Sequence, residues 1–128
     1  MDTAKTGYIE KYQAGEVKRY CQTLDLVNDP EKIALYRKWH EARNIWKEIP
    51  EGLRSIGVLD MEIYISDNRL FMIVETPADF DWDKAFAKLA GMPRQGEWEA
   101  FVGEFQKAQQ GAKSDEKWQL MERMFKLP

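Results

Sequence analysis

Apolar and polar residues alternate in "VLDMEIYIS", with Leu59, Met61, Ile63 and Ile65 on one face and Asp60, Glu62 and Tyr64 on the other. A period of two is the pattern of a half-buried strand. The next run, "RLFMIVET", is apolar almost throughout, as a central strand is. Asp67-Asn68 between the two tolerates positive φ, so the pair reads as a β-hairpin. Upstream, "VKRYCQTLDLV" (17–27) mixes β-branched and aromatic residues and ends at the turn signal "NDP", which predicts a first strand. Asp29 followed by Pro30 predicts a helix start, with Glu31 at the positive end of the helix dipole. From there Leu35, Trp39, Ala42, Trp46 and Ile49 recur at steps of four and three, a stripe one helix face would bury. Pro50 then interrupts, "EGLRSI" reads as a turn, and Gly57 as a stop.

Downstream of the hairpin, "DFDWDKAFAKLA" and "EWEAFVGEFQKAQ" read as amphipathic helices separated by "GMPRQG". "QQGAKSDE" reads as a loop. "KWQLMERMFKL" alternates well enough for a last strand, although a short helix fits nearly as well. The order strand–helix–strand–strand–helix–strand defines an α+β class, a ferredoxin-like split βαβ with helices on one face of an antiparallel sheet. One sheet face then lacks a helical cover, fed by Leu59, Ile63, Phe71 and Ile73 or their alternates. A patch that large invites association with a second copy, so a homodimer, a dimeric αβ barrel, is expected.

The chain's 128 residues suit one domain, expected at 17–128. It follows a polar arm, residues 1–16, without clear period and expected to be flexible. The formal charge of −3 is spread over interspersed acids and bases with no basic block, which argues against a nucleic-acid partner. No apolar stretch approaches the ~18 residues of a membrane span, and the N-terminus has no secretory apolar region, so no membrane association is expected. One cysteine, Cys21, cannot close an internal disulfide, which points to a reducing, cytoplasmic compartment.

Candidate chemistry gathers at "YRKWH". It holds the only histidine, His40, with Tyr36 one helical turn earlier on the same side. Helical geometry sets the pair roughly 100–140° from the centre of the apolar stripe, at the edge of the buried face. It reads either as a partly exposed histidine beside a packing tyrosine, or as a general acid/base with a phenol that orients substrate. One His and one Cys far apart offer no metal cluster. Asp60, Glu62 and Glu75 read more simply as solvated or ion-paired strand residues. No phosphate loop or nucleophile elbow is present. Trp98 reads as a core-facing helix residue or as a flat platform for the apolar side of a ring.

Taken together, "KRYCQTLDL", "YRKWHEARNIWKEIPEGLRSIGVLDMEIYI", "RLFMIVET", "QGEWEAF" and the terminal "MERMFKLP" resemble the L-rhamnose mutarotase family, whose members include proteins assigned to L-fucose. The resemblance runs in order from about residue 18 to Pro128. It implies a dimeric ferredoxin-like αβ domain with no cofactor, interconverting the α and β anomers of a 6-deoxy-L-sugar. By resemblance His40 is the acid/base, Tyr36 contacts substrate, and Trp98 is a pocket tryptophan. A second sugar-contacting tyrosine of the family falls at Met61, where no hydroxyl is available. Either Tyr64 or a water replaces that contact, or the preferred sugar differs. "EARNIW" is also slightly longer than the family pattern, which changes the pocket after His40. Two other readings stay open: a non-catalytic sugar-binding or regulatory module on the same fold, and an αβ-barrel oxygenase-type enzyme.

Overall fold

The computed structural model describes residues 5–10, 15–107 and 117–128. Strands β1 (Val17–Asp25), β2 (Asp60–Ser66), β3 (Arg69–Pro77) and β4 (Gln119–Leu120) form one sheet in the order β2-β3-β1-β4, every neighbouring pair antiparallel. Helices α1 (Pro30–Trp39) and α2 (Glu48–Ser55) lie between β1 and β2, and α3 (Trp82–Ala90) and α4 (Gln95–Gly103) follow β3. This is the expected ferredoxin-like α+β arrangement. The expected arm, residues 1–16, falls partly outside the described residues, and the expected loop 109–116 wholly so.

The sheet's two faces separate by the period of two. Tyr20, Gln22 and Leu24 of β1 lie with Leu70, Met72 and Val74 of β3 and with Met61, Ile63 and Ile65 of β2 on the helix side. Most of them join a core with Tyr36, Ile49, Trp98, Val102 and Phe105. Cys21, Thr23, Phe71, Ile73, Glu62 and Tyr64 point the other way. The expected uncovered face therefore holds Phe71 and Ile73 but not Ile63, which packs into the helix-side core.

Local chemistry explains the element boundaries. Asp29 caps α1, its Oδ1 accepting from the backbone N–H groups of Glu31 (3.0 Å) and Lys32 (3.4 Å). The hairpin turns at Asp67, φ 54°, and Asn68 ties it to the end of β1: Leu26 N–H donates to the Asn68 carbonyl (2.7 Å) and Asn68 Nδ2 to the Leu26 carbonyl (3.0 Å). Helix α2 closes in a Schellman arrangement, with Gly57 N–H bonded to Arg54 O (3.1 Å) and Val58 N–H to Leu53 O (3.1 Å). Gly57 takes φ 107°, a conformation an L side chain resists.

Further expectations fail, among them the turn read at "EGLRSI", which forms most of α2. The single helix with its Leu35–Ile49 stripe is two helices with a turn at 41–46 between them. Asn44 stabilises the break, its Nδ2 donating to the Lys38 carbonyl (2.9 Å) at the C-terminal end of α1. Pro50 does not interrupt a helix but stands in the first turn of α2, where its missing N–H has no intrahelical partner to lose. The buried side of α1 is consequently shifted: Tyr36 is 4% exposed and Leu35 43%. The last strand is only two residues long, and 121–128 continue without regular structure.

Candidate functional site

The break after Trp39 positions the site. His40 is the C-cap of α1, and its Nδ1 lies 2.7 Å from the carbonyl oxygen of Tyr36, one turn back. A carbonyl can only accept, so Nδ1 carries the proton and Nε2 is left with the lone pair in the neutral ring. Burial pulls the His40 pKa below its ordinary 6.5, while the bond to the carbonyl opposes the shift. The imidazole is therefore neutral at pH 7 and basic at Nε2. The Tyr36 ring lies against it at 4.2 Å between centroids, and Trp98 meets it edge-on at 5.3 Å.

Burial pushes the Tyr36 phenol up to about 12, with a bond from Gln106 opposing the shift. Its hydroxyl stays protonated at physiological pH. Gln106 Nε2 donates to that hydroxyl oxygen at 3.3 Å, which leaves the phenolic proton to be given elsewhere. Gln106 is fixed by backbone: Lys107 N–H donates to Asp25 O (2.8 Å), Val27 N–H to Phe105 O (2.9 Å), and Leu26 bridges Gln106 antiparallel. The end of β1 thus holds the residues after α4 beside α1.

On the other side, Arg94 in the left-handed conformation (φ 62°) starts α4, whose inner face presents Gln95, Trp98 and Val102. Trp46 of the 41–46 turn packs edge-on against Trp98 (5.2 Å) and stacks on Phe101 (5.8 Å, 18°). The Arg94 guanidinium lies 3.9 Å over Trp46. The turn after His40 is thereby fastened to α4.

These elements line a cavity of about 410 Å³ between helices and sheet, open to solvent on one side and within the roughly 300–1,000 Å³ typical of small-molecule sites. Its lining includes Tyr36, His40, Trp98, Gln22, Gln95 and Gln106 together with the apolar Leu53, Val58, Trp82, Phe86 and Leu89. Arg54 and Asp60, also in the lining, lie towards its solvent side.

The structure brings four of the five expected site residues, Tyr36, His40, Met61 and Trp98, to this one cavity. Tyr64 is not among them. It lies on the opposite sheet face, its hydroxyl 3.4 Å from Glu62 Oε2 and its ring edge-on to Tyr8 at 5.8 Å. It cannot replace a hydroxyl at Met61 in this cavity, because neighbouring parities of a strand face opposite ways. Gln22, Gln95, Gln106 and Trp118 also line the cavity, and the sequence pattern did not single them out. Gln22 left a signal, a polar residue between Tyr20 and Leu24 on the apolar side of β1. Among the described residues no group of three or more His, Cys, Asp and Glu side chains could hold a metal ion.

Fold and cavity together define a ferredoxin-like domain with a neutral, basic histidine in a partly open pocket of small-molecule size. The family model described as L-rhamnose mutarotase matches residues 19–127, and the chain belongs to that family. It is 38% identical over 111 residues to an L-fucose mutarotase of Xanthomonas campestris pv. campestris, covering 87% of this chain and 89% of the relative. It is 32% identical over 77 residues to an L-rhamnose mutarotase of Burkholderia cenocepacia, covering 59% and 68%. The crystal structure of an L-rhamnose mutarotase from Formosa agariphila shares the fold, with a TM-score of 0.62 at 19% identity over 87% of this chain and 99% of that one.

Proposed function

We propose that the protein is an aldose mutarotase that interconverts the α and β anomers of a 6-deoxy-L-sugar, L-rhamnose or L-fucose, with His40 as its acid/base. The observation that carries this reading is the 2.7 Å bond from His40 Nδ1 to the Tyr36 carbonyl, which commits the ring to a basic Nε2. Nε2 takes the proton of the anomeric hydroxyl. The bond from the anomeric carbon to the ring oxygen breaks, its electron pair stays on that oxygen, and the first carbon becomes an aldehyde. Both oxygens were attached to the same carbon, so the imidazolium returns the proton to the former ring oxygen within short reach. Rotation of the aldehyde and the reverse transfers give the other anomer. The protonated Tyr36 hydroxyl donates a hydrogen bond to the sugar, and the flat Trp98 ring faces an apolar side of the pyranose.

Charge changes only transiently, which suits a site whose histidine is largely buried. General acid–base catalysis at one group contributes about 10²–10⁴-fold, enough for a reaction that already proceeds unaided. The enzyme is further read as a cytoplasmic homodimer. The free thiol of Cys21 supports a reducing compartment, and the uncovered sheet face supports the dimer.

Magnetisation-transfer NMR tests the reading by measuring α/β exchange of L-rhamnose and L-fucose with catalytic protein. His40→Ala should remain folded, bind sugar and exchange anomers at the spontaneous rate. Tyr36→Phe should lose less, about tenfold, because one hydroxyl contact goes. A His40→Ala protein as fast as wild type would remove the histidine from the mechanism.

A further inference from the structure

We propose that Gln22, Gln95 and Gln106 are the specificity-determining residues of the cavity, reading the hydroxyl pattern of the bound sugar. The inference deepens the sugar-site reading above and rests on it. Gln22, Thr76, Gln95 and Gln106 are the buried polar residues among those described, and the three glutamines, each 5–6% exposed, all line the same cavity. They come from separate elements: β1, the first residue of α4, and the turn after α4. Packing does not require an amide at any of these places, since burying one without a partner is unfavourable.

Gln106 makes the case sharpest. Its Nε2 is used on the Tyr36 hydroxyl, and its Oε1 is, among the described residues, the buried side-chain polar atom with no hydrogen-bond partner. Buried polar atoms in native structures are nearly always paired, so an orphan beside a cavity calls for a partner there. The terminal torsion of glutamine is soft, which lets the amide turn its oxygen to a ligand.

The chemistry of the set fits a polyol. Each sugar hydroxyl donates one hydrogen bond and accepts others, and each amide offers two donors and an acceptor without charge. The charged lining residues, Arg54 and Asp60, are less buried than the glutamines. Neutral amides around the buried part also add no carboxylate that would raise the His40 pKa. An epimer presents one hydroxyl in the wrong direction, leaving a buried amide unpaired, and that penalty is what discriminates.

The test uses three probes: L-rhamnose, L-fucose and 6-deoxy-L-glucose, the last differing from the first at C2 only and from the second at C4 only. Binding is read from the fluorescence of the cavity tryptophans, and exchange by NMR on the same samples. Wild type should prefer one sugar over its single-centre epimer. Gln22→Met, Gln95→Met and Gln106→Met keep side-chain length without polar groups. At least one should bind the preferred sugar about 10- to 100-fold more weakly and lose most of the preference. Where a Met variant does not hold its fold by circular dichroism, the Asn variant, which withdraws the amide by one methylene, is read instead and gives a smaller change of the same kind. Equal binding of the three sugars by wild type overturns the proposal. So does a set of variants that all keep the wild-type preference, whether or not overall affinity falls. Wild type that binds with preference but exchanges no anomers overturns the mutarotase activity and leaves the glutamine assignment standing. Wild type that binds none of the sugars overturns both.

Discussion

At the scale of single residues, the proposed mechanism divides roles between two neighbours on one helical turn. The backbone carbonyl of Tyr36 holds the proton on His40 Nδ1, and the side chain of Tyr36 keeps its own proton because burial raises its pKa to about 12. One group is a base at neutral pH and the other a donor, with no charged neighbour needed to set either. The pH dependence follows from the sign of the histidine shift. The folded pKa of His40 is below 6.5, so the neutral, basic form persists to lower pH than an exposed histidine allows. Anomer exchange should stay level from about pH 8 to about 6.5 and fall only at lower pH, its midpoint below the ordinary histidine value. Folding is linked in the same direction. The unfolded chain binds the proton more readily, so the stabilisation from neutral His40 is complete above about pH 6.5 and is lost as pH falls through the folded pKa. An exchange profile with its midpoint above 6.5 would contradict the burial of this ring. Trp98 is bound into the same geometry. It is a core residue touching Trp46, Phe101 and His40, so truncating it disturbs folding as well as the lining of the cavity.

At the scale of elements, what could be read from the sequence was what local chemistry alone decides. Asp29-Pro30 starts a helix because the cap and the ring act on adjacent atoms. Asp67-Asn68 turns a hairpin, and Gly57 ends a helix, for equally local reasons. The positions of Tyr36 and Leu35 were misjudged because the stripe was extended across 41–46, where the Asn44 bond to Lys38 and the packing of Trp46 on α4 end the helix. Those are contacts between groups six and some fifty residues apart, invisible to periodicity. Gln95 and Gln106 stand in polar stretches and carry no sequence mark until the fold buries them. Gln22 does carry one, its place between Tyr20 and Leu24 on the apolar side of β1. His40 and Tyr36 were legible as a pair because a four-residue spacing on a helix needs no tertiary contact. Gly57 offers a test at this scale. Its φ of 107° means that Gly57→Ala meets backbone strain, while the Phe80 ring, 3.5 Å from where an alanine methyl would stand, leaves ordinary van der Waals room. The variant should lose about 1–2 kcal/mol of stability, seen as a lower denaturant midpoint with unchanged slope. A midpoint equal to wild type would show that the helix ends without the Schellman geometry.

At the scale of the whole molecule, one side of the sheet carries the helices and the cavity, and the other carries Cys21, Thr23, Phe71 and Ile73, with no helix over them among the described residues. Met121 N–H donates to the Cys21 carbonyl (2.7 Å), which continues the pairing of the short β4 with β1 at the edge of the sheet. Beyond it Met124, Phe125 and Leu127 are exposed, Met124 to 94%. Apolar side chains held in water forgo about 25 cal/mol for each Å² they could bury, so an exposed apolar tail and a half-buried sheet face both gain from a partner surface. On the homodimer reading proposed above, a second copy would supply both surfaces at once under a two-fold axis. The protein should therefore run in light scattering as two 15.1 kDa chains at micromolar concentration. Phe125→Glu, which sets a charge in the tail without touching the cavity, should shift that mass towards one chain while the isolated protomer keeps its helical circular dichroism. A wild-type mass of 15.1 kDa at the same concentration would refute the dimer. A Phe125→Glu protein that stays fully dimeric would leave the sheet face alone as the interface and remove the tail from it.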